Sequence, residues 1–194
     1  PDQATLLNVE GTRNIANAAN EVGAHVVHIS TDFIFDGKDG PYKEDAKAQP
    51  LSHYGWTKLE AEDIIKDLPS WSILRTVLVI GMAEDLSRSN IVLWAKGALE
   101  KGQPINVVDD QFRTPTLAED LAQGALLAAD QCAQGVFNIS GPDFMSIYDL
   151  VGQVAAYFGL SMESVTRTDS TTLNQPAKRP PRTGFDISKA RKEL

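Results

Sequence analysis

A tyrosine and a lysine stand four residues apart in the segment Tyr54-Gly55-Trp56-Thr57-Lys58. In a helix this spacing places both side chains on one face, one turn apart, so both can contact the same substrate. A phenol has a reference pKa of about 10, and a neighbouring ammonium group favours its ionised form and brings that pKa toward neutrality. The pair therefore indicates proton transfer by Tyr54, although an ordinary surface Tyr and Lys would show the same spacing.

A second group of polar residues, Ser30-Thr31-Asp32, directly follows a short run over residues 25–29 that is rich in valine and isoleucine. Such a run predicts a buried strand of a parallel sheet. Ligands bind beyond the carboxyl ends of the strands in these sheets, where a hydroxyl of this group could reach a substrate carbonyl. A helix cap or a turn is the alternative interpretation of the same residues.

The elements around these two groups predict a βαβ unit. A helical stripe of apolar residues runs from about residue 5 to residue 22 and precedes the first strand. A loop over 36–49, a helix over 52–66 and a second buried strand over 70–80 follow it. Strand, helix and strand at this spacing predict a right-handed crossover in a parallel sheet, and therefore an α/β fold.

The pattern changes after Gly81 and predicts a smaller α+β lobe. Helices are predicted over 91–102, 116–131 and 146–158, strands over 105–108 and 136–140, and a last short helix from Ile187. We therefore expect a partial doubly wound, Rossmann-like domain with the catalytic residues over 1–82. Residues 83–194 would form mainly the substrate-binding lobe, with some segments returning to the Rossmann-like domain.

Composition excludes several classes of function. The 194 residues carry 18 basic and 26 acidic side chains, and the net charge of -8 disfavours a nucleic-acid partner. Cys132 is the single cysteine, so no intrachain disulfide is expected, and the three histidines match no usual spacing of a metal site. No run approaches 18 apolar residues and no export leader is apparent, so we expect a cytoplasmic protein without a membrane span.

Several short motifs along the chain form one joint pattern. They occupy residues 8–12, 29–37, 41–42, 50–51, 54–62, 74–76, 79–81, 113–116, 120–122, 137–141 and 179–180. In combination they resemble the dTDP-4-dehydrorhamnose reductase family of nucleotide-sugar enzymes, within the extended short-chain dehydrogenases. The resemblance covers nearly the whole chain, and the joint match is highly specific.

The resemblance implies an enzyme with three catalytic residues. By it, Thr31 polarises the substrate carbonyl, Tyr54 delivers a proton, and Lys58 binds the nicotinamide ribose and tunes Tyr54, with Ser30 also in the cofactor site. The implied cofactor is NADPH or NADH. The implied reaction is reduction of the 4-keto group of a nucleotide-diphospho-deoxysugar, in which positioned hydroxyl donors stabilise the developing alkoxide. A homodimer is a possible assembly.

The substrate site implied by the resemblance includes several residues outside the catalytic set. The substrate-binding candidates are Thr31, Asp32, Asn90, Arg113 and Arg179. Arg113 is the candidate for a pyrophosphate clamp, because related enzymes carry an Arg seven residues before the Asp that is Asp120 here. A surface salt bridge is its alternative role. Asn also caps helices and an Arg in a Pro-rich tail is commonly solvated, so Asn90 and Arg179 each have a second interpretation.

The glycine-rich turn of a dinucleotide fingerprint occurs nowhere in the 194 residues. In the family, that turn and three or four strands precede the residues that align with Pro1. We therefore expect the chain to lack the amino-terminal part of the family, to expose an apolar sheet edge and to bind cofactor poorly as given. The residues that select NADH or NADPH belong to that part.

Two other functions stay open. The resemblance extends to the regulatory β subunit of methionine adenosyltransferase, which shares the Arg-x-Pro-Thr segment and the Arg-Pro tail and implies a non-catalytic binding role. Epimerisation or dehydration of a nucleotide sugar uses the same scaffold. Dehydratases usually place an acidic pair beside the hydroxyl residue, where Asp32 alone stands here, so dehydration is less favoured.

Overall fold

The computed structural model describes residues 2–82, 90–172 and 177–194. The helices are α1 (Asp2–Thr5), α2 (Gly11–Val22), α3 (His53–Lys66), α4 (Ile91–Glu100), α5 (Ala118–Asp130), α6 (Ile147–Phe158) and α7 (Ser188–Glu193). A π-helical segment, Leu6–Glu10, joins α1 to α2, and a 3-10 turn spans Asp32–Ile34. Within the described ranges, no helix has both the length and the apolar character needed to cross a membrane.

Parallel strands form the centre of the molecule. The strands are β1 (Val26–Thr31), β2 (Trp71–Thr76), β3 (Val79–Ile80), β4 (Ile105–Val108), β5 (Phe112–Arg113), β6 (Thr116–Leu117), β7 (Gly135–Ile139), β8 (Met145–Ser146) and β9 (Val165–Thr168). β1, β2 and β7 form one parallel sheet in that order, and their carboxyl ends are aligned with Thr31 opposite Thr76 and Thr76 opposite Ile139.

Helices cover both faces of this sheet. Successive side chains of a strand point to opposite faces, and two neighbouring residues of β2 show the consequence. Ile73 packs with Ala16 of α2 and Ile65 of α3, whereas Leu74 packs with residues of α5 and with Ala190 of α7. The predicted α/β fold with a Rossmann-like parallel sheet is therefore confirmed.

A second, smaller core lies in the lobe formed by α4, α6, β4 and β9. β4 and β9 pair in parallel, and the two helices pack on them through a cluster of buried apolar side chains. The buried members of this cluster are Ala95, Ala98, Leu99, Ile105, Val107, Val151, Val154 and Ala155. The helix α6 begins with a capping box between Ser146 and Asp149, which satisfies the first free main-chain N–H groups.

The later segments of the chain belong to both regions. α5 contacts β1 and β2, and α7 contacts β7, so these parts of residues 83–194 lie with the main sheet. The short strands β3, β5, β6 and β8 form the pairs β3 with β6 and β5 with β8. In chain order, they stand between elements of the main sheet and elements of the smaller lobe. The boundary that the sequence suggests between residues 82 and 83 stays a prediction.

Several short elements differ from the sequence-based prediction. The apolar run over 70–80 predicts one strand, but the chain leaves the main sheet after Thr76 and pairs again as β3. Leu78 has a φ of 41°, a left-handed conformation that a regular strand cannot contain, and Thr116 Oγ1 donates to the carbonyl oxygen of Val77 at 2.6 Å. β9 was not predicted, because its sequence Val-Thr-Arg-Thr carries no apolar run. The two-residue strands β5, β6 and β8 were not predicted either, and β6 occupies the start of the helix predicted over 116–131.

β1 is an edge strand of the main sheet and pairs with β2 alone among the described residues. Ile29 of this strand is 48% exposed, and Leu7 and Ile15 on the adjoining helical segments are 73% and 64% exposed. Apolar residues around this edge also line a cavity of about 470 Å³. The apolar edge expected from the sequence is therefore present in the structure.

A buried carboxylate connects β1, α3 and β2. Glu62 is fully buried and accepts hydrogen bonds from Ser30 Oγ at 2.6 Å and from Arg75 Nε and Nη2 at 3.0 and 2.8 Å. Burial alone raises the pKa of Glu62, but hydrogen bonds and charge from Arg75, together with Ser30 and Lys66, outweigh burial and lower it. This charged group therefore fixes the position of α3 against two strands.

The substitution Arg75→Met tests this connection, because it removes the buried cation that pairs with the Glu62 carboxylate and leaves Lys66, at 3.5 Å, as its ion-pair partner among the described residues. We expect the free energy of unfolding to fall by about 3–5 kcal/mol. Urea denaturation at pH 7 measures the change. Lys96→Met is the matched control, since it breaks the exposed Lys96–Glu100 pair and should cost less than about 1 kcal/mol. Equal losses in both variants would contradict the assigned role.

Candidate active site

Local packing brings Thr31 and Tyr54 to the same region. Thr31 is the last residue of β1, and Tyr54 lies in the first turn of α3, which Ser52 caps by accepting a hydrogen bond from the Gly55 N–H at 3.2 Å. A Cβ at Gly55 would lie 2.3 Å from the carbonyl oxygen of Phe33. Glycine at this position therefore lets the start of α3 approach the turn that follows β1.

A cavity of about 310 Å³ opens beside these residues. Its polar lining consists of Thr31, Asp32, Tyr54, Gln111, Arg113 and Arg179. Its apolar lining consists of Phe33, Leu78, Ile91, Val108 and Ile147. Five of the eight predicted site residues thus face one space, which has the size and mixed lining of a small-molecule site.

Tyr54 is the titratable phenol of this cavity and is 44% exposed. Partial burial raises the pKa of Tyr54 above its ordinary value, hydrogen bonding with Thr31 lowers it by less, and the negative charge of Asp32 raises it. Tyr54 is therefore protonated at neutral pH and can act as a proton donor. Thr31 Oγ1 donates to Asp32 Oδ1 at 3.2 Å and accepts from the Phe33 N–H at 3.3 Å.

Lys58 lies one turn after Tyr54 and is directed toward β1. Its Nζ donates to the carbonyl oxygen of Ile29 at 2.8 Å and lies 3.4 Å from His28 Nε2. Burial lowers the pKa of His28 to about 4, and the charge of Lys58 lowers it as well. The pKa of Tyr54 is raised, mainly by burial, and not lowered as the sequence suggests, and the Lys58 ammonium group contacts Ile29 and His28.

Asp32 is the centre of a buried polar cluster at the cavity wall. It is 4% exposed, accepts a short hydrogen bond from Thr183 Oγ1 and lies 3.6 Å from Arg113 Nε. Burial raises the pKa of Asp32, and the charge of Arg113 and the hydrogen bonds of Thr183 and Thr31 lower it by less. The cluster joins the end of β1 to the carboxyl-terminal segment of the chain.

The guanidinium group of Arg113 is almost fully used inside the protein. Nη1 donates to the carbonyl oxygens of Phe112 and Pro181 at 2.7 and 3.1 Å, and Nη2 donates to that of Pro180 at 2.8 Å. Arg113 is buried, so it is not the surface salt bridge considered as its alternative. Arg179, in contrast, is exposed at the cavity and close enough to lower the pKa of Arg113.

Three predicted residues do not line this cavity. Ser30 is buried and its hydroxyl donates to Glu62, so any contact with a cofactor would come from its main chain. Asn90 caps α4, since its Oδ1 accepts from the Val92 and Leu93 N–H groups at 3.0 and 3.1 Å, and its Nδ2 donates to Gly81. Lys58 is the third. The cofactor and substrate roles of these residues stay predictions.

Gln111 lines the cavity and was missed by the sequence analysis. It stands two residues before Arg113 at the start of an extended segment, and residues at this spacing share one face. That alternation was the available signal. The part of the chain described by the structure contains no cluster of three or more His, Cys, Asp or Glu side chains suited to a metal ion.

Lys58 is the residue that could hold part of a dinucleotide cofactor. An ammonium group has three N–H donors; Lys58 uses one for the Ile29 carbonyl oxygen, and a second is within reach of His28 Nε2 at 3.4 Å. The remaining donor fits a hydroxyl group of a ribose, one helical turn from the phenol of Tyr54. The donor set thus suits a nicotinamide riboside placed across the carboxyl end of β1.

Comparisons with known proteins identify relatives of this chain. The chain is 32% identical to methionine adenosyltransferase 2 subunit beta of Xenopus tropicalis, over 82% of this chain and 50% of that protein. It thus spans half the length of this relative. The structure of a dTDP-4-dehydrorhamnose reductase from Clostridium acetobutylicum is 34% identical with a TM-score of 0.89, over 96% of this chain and 65% of that chain.

The dTDP-4-dehydrorhamnose reductase from Bacillus anthracis, solved in complex with NADP, is 26% identical. It superposes with a TM-score of 0.91 and covers 98% of this chain and 67% of its own. The family model described as the RmlD substrate binding domain matches residues 1–194, the full extent of the sequence. The chain therefore belongs to the RmlD substrate binding domain family.

Proposed function

We propose that the full-length polypeptide reduces the 4-keto group of a nucleotide-diphospho-deoxysugar, with NADPH or NADH as the hydride donor. The observation that carries the proposal is the placement of the Thr31 hydroxyl and the protonated Tyr54 phenol on one cavity. The similarity to two dTDP-4-dehydrorhamnose reductases, one of them holding NADP, supports it. The expected cytoplasmic location and homodimer stay predictions.

Tyr54 supplies the proton in this proposal. A ketone becomes an alcohol when its carbon gains a hydride and its oxygen gains a proton, and a bound nicotinamide cofactor supplies that hydride. The phenolic proton of Tyr54 passes to the carbonyl oxygen, and the partly exposed phenolate regains a proton from solvent. The raised pKa of Tyr54 suits this direction, because the phenol carries its proton at neutral pH.

Thr31 stabilises the charge that develops on the carbonyl oxygen. Its hydroxyl donates to Asp32 Oδ1 in the structure, at a modest 3.2 Å. A substrate oxygen that enters the cavity would take over this donor. A fixed hydroxyl at this point stabilises an alkoxide more than a ketone, which is the requirement for faster reduction.

Arg179 is the cation that we assign to the diphosphate of the substrate. Arg113, the residue selected from the sequence, is enclosed by the carbonyl oxygens of 112, 180 and 181 and by Asp32. Its role is therefore to hold the carboxyl-terminal segment at the cavity wall. Arg179 lies on the same wall and is exposed, so its guanidinium group can form charge-assisted hydrogen bonds with phosphate oxygens.

The variant Tyr54→Phe tests the catalytic proposal, because it removes the phenolic proton and keeps the ring. We expect kcat/KM for a dTDP-4-keto-6-deoxysugar to fall on the order of 10²-fold or more. NADPH consumption by the full-length polypeptide measures this fall. Tyr157→Phe, at an 84% exposed position on α6, is the matched control and should keep full activity. Unchanged turnover in Tyr54→Phe would refute the proposed role of the phenol.

Arg179→Met tests the diphosphate assignment, since methionine keeps the length of the side chain and removes its charge. Calorimetry at low ionic strength should show dTDP binding weakened about tenfold, and the difference should shrink as salt is added. Lys178→Met removes a neighbouring exposed charge and should change the affinity much less. The assignment fails when both variants bind dTDP with the same affinity.

A regulatory subunit of a methionine adenosyltransferase is the second candidate function. It is favoured by the 32% identity to the subunit beta of Xenopus tropicalis. In this case the protein should bind a methionine adenosyltransferase catalytic subunit and alter its kinetics, and Tyr54→Phe should leave that effect intact. Copurification with the catalytic subunit, and the kinetics of that subunit with wild-type protein and with Tyr54→Phe, separate the two functions. The reductase requires the Tyr54 phenol, whereas the regulatory role does not.

A further inference from the structure

Gln111 carries a polar group that the protein itself leaves unsatisfied. The side chain is 3% exposed, and its Nε2 has no hydrogen-bond partner. Among the described residues, only one other buried side-chain atom, Asn138 Oδ1, shares this state. Buried polar groups of folded proteins nearly always have partners, so an amide without one requires an explanation.

The position of Gln111 supplies that explanation. The residue lines the same cavity as Thr31 and Tyr54, whereas the amide of Asn138 donates to carbonyl oxygens of the core at 3.0 and 3.3 Å. The main chain of Gln111 is fixed, because its carbonyl oxygen accepts from the Ile147 N–H at 3.0 Å. Its side chain has three rotatable bonds, so the amide can turn toward a ligand that enters the cavity.

The neighbours of Gln111 make the missing partner a ligand group. Val108 and Ile147 of the same cavity offer apolar surface, and the guanidinium group of Arg113 is itself a donor that the segment 180–181 already occupies. An N–H donor needs an acceptor, and none of the acceptors in the cavity lining, Thr31, Asp32 and Tyr54 included, pairs with Gln111 Nε2. An oxygen atom of a bound molecule fits both the chemistry and the place.

We propose that Gln111 determines substrate specificity by donating a hydrogen bond from its amide to a non-reacting oxygen of the sugar. The inference rests on the proposed reductase function. It identifies the sugar as the part of the substrate that Gln111 contacts. The reacting carbonyl must meet Thr31 and Tyr54, so the sugar occupies the cavity, and the exposed Arg179 receives the diphosphate. A neutral, buried amide suits a sugar hydroxyl better than it suits a phosphate.

This hydrogen bond would discriminate among sugars. A sugar that lacks the oxygen would leave the Gln111 donor buried and unpaired in the complex, as it is in the free protein. A site with an unpaired hydrogen-bonding group rejects such analogues more strongly than an apolar surface does. The buried, unpaired amide of Gln111 costs free energy in the free protein, and its hydrogen bond to the sugar removes this cost in the complex.

The experiment compares wild-type full-length polypeptide with Gln111→Met, which keeps the unbranched shape of the side chain and removes the donor. Gln123→Met, at an exposed position of α5 away from this cavity, is the matched control. Calorimetry measures the binding of dTDP-rhamnose and of dTDP, so that the contribution of the sugar is obtained by difference. The melting temperature of each variant is recorded without ligand.

We expect Gln111→Met to bind dTDP-rhamnose about tenfold or more weakly, to bind dTDP like the wild type, and to melt at the same or a higher temperature. This combination is the signature of a ligand-binding amide, because a structural residue would lower the melting temperature when replaced. Unchanged affinity for dTDP-rhamnose overturns the inference. An equal loss for dTDP also overturns it, since Gln111 would then contact the nucleotide diphosphate.

Turnover separates this inference from the proposed function. Wild-type protein that reduces a dTDP-4-keto-6-deoxysugar, with no change of sugar affinity in Gln111→Met, refutes the role of Gln111 alone. Wild-type protein that binds dTDP-rhamnose through Gln111 but reduces no keto sugar refutes the reductase and keeps the sugar contact. The two results use different ligands and different measurements.

Discussion

The geometry of the candidate site depends on one buried carboxylate. Glu62 stands two helical turns after Tyr54, and its hydrogen-bond donors are Ser30, the residue before Thr31, and Arg75 of β2. The strand that carries the threonine and the helix that carries the tyrosine are therefore tied to the same charged group. A buried ion pair contributes little net stability in general, but it strongly favours one arrangement of the elements that it joins.

The residues around the cavity divide into two kinds. Asp32 and Arg113 satisfy each other and the carboxyl-terminal segment, so they form a rigid wall that needs no ligand. Thr31, Tyr54, Gln111 and Arg179 instead present hydroxyl, amide or charged groups to the cavity. The polarity of a residue alone therefore does not identify a binding role. A side chain whose polar groups are paired within the protein supports the site, and one with unpaired groups can bind a ligand.

Much of this organisation could be predicted from local sequence. Apolar periodicity predicted the main helices and strands, and the rule that ligands bind beyond the carboxyl ends of parallel strands placed Thr31 at a possible substrate site. The family resemblance added Tyr54 to the same site. The break at Leu78 and the burial of Arg113 could not be predicted, because they depend on Thr116 and on carbonyl oxygens 67 and 68 residues away. Contacts of this range leave no local pattern in a single sequence.

The contacts of residues 180–183 determine the order in which the parts of the site form. The hydrogen bond between Thr183 and Asp32 joins residues 151 positions apart, and Arg113 reaches the same segment from the middle of the chain. During synthesis, β1 and α3 leave the ribosome long before this segment does. Thr31 and Tyr54 can therefore come together early, but the cavity beside them is completed only when residues 179–183 have been made.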